Sequence, residues 1–150
     1  MKGAFAGRVV AITGAGRGLG RALAEAFSAE GASLALGART SAEIDELASR
    51  LGNAIAVQTD VRLPLDCERL VEAAVAEFGR LDIMVNNAGL AVYGPVEGTS
   101  PDAVSAMIDT NVKGVIYGSQ AAFRVMKAQG SGLIINISSI AGKMHLPNEA

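Results

Sequence analysis

The stretch Thr13-Gly14-Ala15-Gly16-Arg17-Gly18-Leu19-Gly20 constrains the fold of this chain more than any other. An apolar run, Val9-Val10-Ala11-Ile12, precedes it. After it, Leu19, Leu23, Ala26 and Phe27 fall at helical spacing, with a stop at Gly31. Strand, glycine loop and helix therefore follow one another. Glycines reach positive φ and carry no Cβ, so a diphosphate can approach the backbone, and the free N–H groups of a helix start favour the anion. The spacing is T-G-x-x-x-G-x-G. The common G-x-G-x-x-G fails, because counting from Gly14 puts Leu19 where the third glycine should be. A tight turn without a ligand would also use glycines, so the rest of the chain has to decide.

The same alternation continues downstream. Ser33-Leu34-Ala35-Leu36-Gly37 reads as a strand buried on both faces. Thr40-Ser41-Ala42-Glu43 has the form of a capping box, and Ile44, Leu47, Ala48 and Leu51 form the apolar stripe of a helix closed by Gly52. A third strand, Ala54–Val57, ends at Gln58-Thr59-Asp60-Val61. Asp66 can cap a helix carrying Leu70, Val71, Ala74, Val75 and Phe78, with Gly79 at its end. Leu81–Val85 is a fourth strand, running into Asn86-Asn87-Ala88-Gly89 and then a loop rich in glycine and proline. Ser100-Pro101 opens a helical stretch that reaches about Gln129 with a break near Asn111, and Leu133–Ile137 is a fifth strand. Met107, Ile108 and Val112 read as core. Five strands alternating with helices imply parallel pairing through right-handed crossovers, a doubly wound α/β sheet in the order 3-2-1-4-5. A ligand then belongs at the carboxyl ends of the strands, near the switch between strands 1 and 4.

At 150 residues, half of them apolar, one domain with a real core is expected. Thirteen basic against fifteen acidic residues leave a net charge of −2, which gives no footprint for nucleic acid or an anionic membrane. No apolar run reaches membrane-spanning length, and the single cysteine, Cys67, suits a reducing cytoplasm. His145 has no partner at metal or triad spacing, so no metal is expected.

Thr13-Gly14-x-x-x-Gly18-x-Gly20 resembles the short-chain dehydrogenase/reductase family, and later motifs sharpen the likeness. Asn86-Asn87-Ala88-Gly89 is similar to the family's N-N-A-G, which implies that one asparagine steadies the sheet and the other lies near the adenosine. Asp60-Val61 resembles the adenine contact, although Asp60 as a turn residue is the plain alternative. Asn111 resembles the helix asparagine that holds a water on the proton path. Ile137-Ser138-Ser139-Ile140-Ala141-Gly142 resembles the segment delivering the catalytic serine; the family's spacing to Gly142 and Pro147 selects Ser139.

The resemblance implies a Rossmann-like domain that transfers a hydride between a nicotinamide cofactor and an alcohol or ketone. Its cofactor contacts would be Gly14, Gly16, Arg17, Gly18, Leu19, Gly20, Arg39, Thr40, Asp60, Val61, Asn87, Ala88, Gly89 and Ile137. NADP is expected over NAD. NAD users place an acid at the end of strand 2. Here Ala38 stands there with Arg39 next, and Arg17 lies across the loop to meet a 2′-phosphate. Two arginines on solvated turns are the plain alternative.

The family's catalytic tyrosine, with a lysine four further on, would fall thirteen residues after Ser139, past Ala150. Neither Tyr93 nor Tyr117 has a lysine at that spacing. The 150 residues alone are therefore expected to be inactive, the domain incomplete at its C-terminus. In practice they could act as a non-catalytic nucleotide-binding module. The resemblance also implies a homo-oligomer for a complete protein.

Overall fold

The computed structural model describes residues 3–144. Its order is β1 (Val9–Thr13), α1 (Gly18–Ala29), β2 (Ser33–Ala38), α2 (Ser41–Leu51), β3 (Ala54–Gln58), α3 (Pro64–Phe78), β4 (Ile83–Asn86), α4 (Pro101–Ile108), a π-helical turn (Asp109–Lys113), α5 (Gly114–Gln129) and β5 (Leu133–Asn136). The strands form one parallel sheet in the order β3-β2-β1-β4-β5. This is the expected doubly wound topology. The apolar residues of β1, β2 and β4 alternate between two cores. Val10, Ile12, Leu34 and Leu36 pack with α1 and α2, while Val9, Ala11, Ala35 and Met84 pack with α3 and α5. Every residue of β1 is buried, as a central parallel strand requires.

Glycine ends several helices where the sequence placed it. Gly52, Gly79 and Gly130 take φ of 78°, 80° and 74° as C-caps. Ser100 caps α4, its Oγ accepting from Ala103 N–H at 3.2 Å. The break near Asn111 is the π-helical turn.

Three expectations fail locally. Leu19 is 54% exposed, and the core face of α1 is Gly20, Leu23, Ala24 and Phe27. The helix starts from a loop against which Gly20 must lie, and this rotates the stripe by one residue. Thr40 occupies the N-cap of α2 without a side-chain cap bond, so the capping box does not form. Asp66 sits inside the first turn of α3, behind Leu63 as N-cap, and its Oδ2 accepts from Asp60 N–H at 2.9 Å. The aspartate ties a helix to the strand end before it instead of capping.

At the other end of the sheet Asp82 precedes β4, its side chain only 7% exposed. It accepts from Val9 N–H (2.9 Å), Arg8 Nη1 (2.9 Å), and Arg80 Nε and Nη2 (2.9 and 2.7 Å). Burial alone would raise this carboxyl, but the hydrogen bonds from Val9, Arg8 and Arg80 outweigh it and hold it below the usual range. Near the centre, Asn86 Nδ2 donates to Asn136 Oδ1 (2.8 Å) and Ser119 Oγ (3.0 Å), joining β4, β5 and α5. Helix α5 crosses so closely that a Cβ on Gly118 would lie 2.2 Å from Asn86 Oδ1.

Candidate functional site

The loop from β1 to α1 is held open by backbone that only glycine adopts easily. Gly14 and Gly18 have φ of +66° and +55°, and a Cβ on Gly20 would fall 2.2 Å from Gly14 O. Thr13 Oγ1 accepts from the N–H groups of Asn87 (3.0 Å) and Ala88 (3.1 Å). In return Asn87 Nδ2 donates to Thr13 O (3.0 Å) and Gly14 O (3.2 Å). Four hydrogen bonds thus lock the loops after β1 and β4 together. No side chain caps the first turn of α1.

Between these loops lies a cleft of about 570 Å³. Gly14, Gly16, Arg17, Gly18 and Leu19 line it from the first loop, Arg39 and Thr40 from the end of β2. Asp60 and Val61 line it after β3, and Asn87, Ala88 and Gly89 after β4. Gly20 does not. It lies beneath, where its lack of a side chain lets α1 approach Gly14. At the rim Asp60 is gripped by Arg62, whose Nε lies 2.9 and 3.0 Å from the two carboxylate oxygens. That hydrogen bonding, aided by the Arg62 N–H and more weakly by Arg39, holds Asp60 below the usual carboxylate range against partial burial.

The arginines are distributed unevenly. Of nine, Arg8, Arg21, Arg50, Arg62, Arg69, Arg80 and Arg124 are ion-paired. Arg17 and Arg39 have no carboxylate within 4.0 Å among the described residues, and both line this cleft.

A second cleft of about 780 Å³ adjoins the first through the shared residues Asn87 to Leu90. It gathers Asn111, Ile137 and Ser139. The expected convergence at the carboxyl edge is thus two contiguous clefts, with these three in the second. Asn111, in the π-helical turn, donates from Nδ2 to Leu90 O (2.7 Å) and accepts at Oδ1 from Leu90 N–H (2.8 Å). Ser139 Oγ accepts from Ala141 N–H (3.2 Å), leaving its O–H to donate. Pro147 and His145, used or weighed in the sequence, lie outside the described residues.

Several lining residues escaped the sequence reading. Met107 lines the second cleft, while Ile108 and Val112 are 48% and 47% exposed, so that cluster is not core. Tyr93 lines the second cleft from a loop without periodicity, and Thr110 and Glu43 line the first. Glu43 was legible only as half of a capping box. Among the described residues no group of three or more His, Cys, Asp or Glu is placed to hold a metal, and no helix is long and apolar enough to cross a membrane.

Residues 8–150 match the family model described as short chain dehydrogenase. An uncharacterized oxidoreductase of Staphylococcus saprophyticus is 39% identical over 145 residues, covering 95% of this chain and 59% of that protein. One from Thermotoga maritima is 40% identical over 147 residues, covering 95% and 58%. A solved structure from Sinorhizobium meliloti 1021, provisionally assigned as a short-chain alcohol dehydrogenase, superposes with a TM-score of 0.90 at 34% identity, over 96% of this chain and 59% of that one. The chain therefore spans just under three fifths of the length of these relatives. With its glycine loop, sheet order and family match in agreement, the chain belongs to the short-chain dehydrogenase family.

Proposed function

We propose that this protein is an NAD(P)-dependent oxidoreductase that moves a hydride between nicotinamide and an alcohol/carbonyl pair, with NADP preferred. The observation that carries the cofactor preference is the pair Arg17 and Arg39, the two arginines without an acid partner among the described residues, lining one cleft. The residues present fit a dinucleotide. A Cβ on Gly18, which lines the cleft, would meet nothing within 4 Å, so the backbone there is open to an approaching diphosphate.

In this reading the first turn of α1 and the loop N–H groups bind the diphosphate, and Asp60 accepts from the adenine amino group. Arg39 and Arg17 bind the 2′-phosphate in charge-assisted, bidentate fashion. The nicotinamide, when bound, supplies the hydride chemistry. Gly89 lines both clefts, and Ile137 lines the second, where Ser139 would donate its O–H to the substrate oxygen. Asn111 fixes the loop at Leu90, on the wall shared by both clefts.

Nucleotide affinity tests this directly. NADPH and NADH are titrated by fluorescence against wild type and Arg39→Asp. NADPH should bind more tightly to wild type, and the substitution should reverse the order. Tighter NADH binding by wild type, or a preference untouched by the substitution, overturns the assignment.

A further inference from the structure

Glu43 is the one acid in the first turn of α2, and nothing assigned above uses it. Its place in T-x-x-E would turn its carboxylate back to the helix start. The structure turns it outward. A Cβ built on Gly16 would lie 2.4 Å from Glu43 Oε2 and 3.0 Å from Glu43 Cβ, so this side chain occupies the space that any other residue at position 16 would fill. The carboxylate thus lies against Gly16, in the cleft that Arg17 and Arg39 line. Among the described residues it has no ion pair and no hydrogen bond, so it is available to a ligand.

A carboxylate is an acceptor without a donor, and it separates two nucleotide chemistries. A ribose diol brings two O–H donors and gains a charge-assisted bond. A 2′-phosphate brings only negative oxygens and is repelled. The arginines act in the opposite sense. Resting on the dinucleotide reading above, we propose that Glu43 is a specificity-determining residue of the adenosine end. It binds a ribose hydroxyl and opposes the 2′-phosphate that Arg17 and Arg39 attract. The wild-type protein then discriminates less between the two dinucleotides than its arginine pair alone would dictate.

Adenosine 2′,5′-bisphosphate and 5′-AMP isolate this end of the cofactor without requiring turnover. Their dissociation constants are measured by calorimetry for wild type, Glu43→Gln, Glu43→Ala and Arg39→Asp, with thermal melts confirming that each variant folds. Glu43→Gln should bind the bisphosphate about tenfold more tightly, about 1.4 kcal/mol. Affinity for 5′-AMP should be several-fold weaker, and Glu43→Ala should show both effects. The gain should shrink as salt screens the carboxylate. If wild type prefers the bisphosphate and Arg39→Asp removes that preference, but neither Glu43 variant moves the ratio by twofold, this inference falls alone. If wild type binds neither nucleotide, or Arg39→Asp changes nothing, the reading beneath it falls and takes the inference with it.

Discussion

Replacing Asp82 by asparagine should destabilise the protein strongly at neutral pH and much less in acid. The carboxylate is nearly buried and joins the segment before β4 to the start of β1 through Val9 N–H and Arg8, with Arg80 beside it. Arg8 and Arg80 are about half exposed, so water screens their pairs to about 0.2–1 kcal/mol each. The larger share is the buried Val9 N–H. If the asparagine turns its amide nitrogen that way, an unsatisfied donor costs about 1–3 kcal/mol. The sum is about 1.4–5 kcal/mol, roughly 3–20 °C in melting temperature for a chain of this size. The pH dependence follows from the lowered carboxyl. A group whose folded pKa lies below its unfolded value, about 3.9 for aspartate, contributes fully above that value. The contribution is lost as pH falls through the folded pKa. Urea denaturation of both proteins from pH 7 to pH 3 reads the difference. A gap under 0.5 kcal/mol at pH 7, or one that stays constant below about pH 4, would refute the argument.

Gly118→Ala should cost about 1–3 kcal/mol, because its Cβ would stand 2.2 Å from Asn86 Oδ1 in a packed crossing; a melting temperature equal to wild type would contradict that. Asn111→Ala removes both bonds to Leu90, about 1–2 kcal/mol of local stability, so the Leu90 amide should exchange about tenfold faster by NMR. Cys67 is buried, and burial with the neighbouring Asp66, Asp60 and Glu68 pushes its thiol up to about 11. Its reaction with a disulfide reagent at pH 8 should be about a hundredfold slower than that of a free thiol, and normal after denaturation.

The sheet order and the glycine loop were legible because they depend on period and punctuation. β1 and β2 show continuous apolar runs, and Gly52, Gly79 and Gly130 mark helix ends through a conformation few other residues tolerate. Ser100-Pro101 worked for the same reason: a cap and a first-turn proline are local. What failed was decided by partners distant in sequence. Gly20 rotates α1 because Gly14 O lies above it, and the spacing of Leu19, Leu23, Ala26 and Phe27 could not report that. Asp66 found Asp60 N–H rather than its own helix start. Glu43 fitted a capping box in sequence and faced the cleft in space, since Gly16 left room for it. Tyr93 and Thr110 reach the clefts from a loop and a π turn, where no periodicity exists to read.

The pairing of Thr13 with Asn87 and Ala88 has a kinetic consequence. Two loops already locked to each other need little ordering when a ligand arrives, so the entropy of assembling the cleft is met during folding rather than at each encounter. Association should then proceed at an ordinary docking rate with no slow rearrangement phase. Substitutions along the cleft would be felt as altered residence time, in the dissociation rate rather than the approach. Thr13→Val, which keeps the shape and deletes the shared acceptor, would leave only the two bonds from Asn87 Nδ2 to hold the loops together, and the dissociation rate should rise.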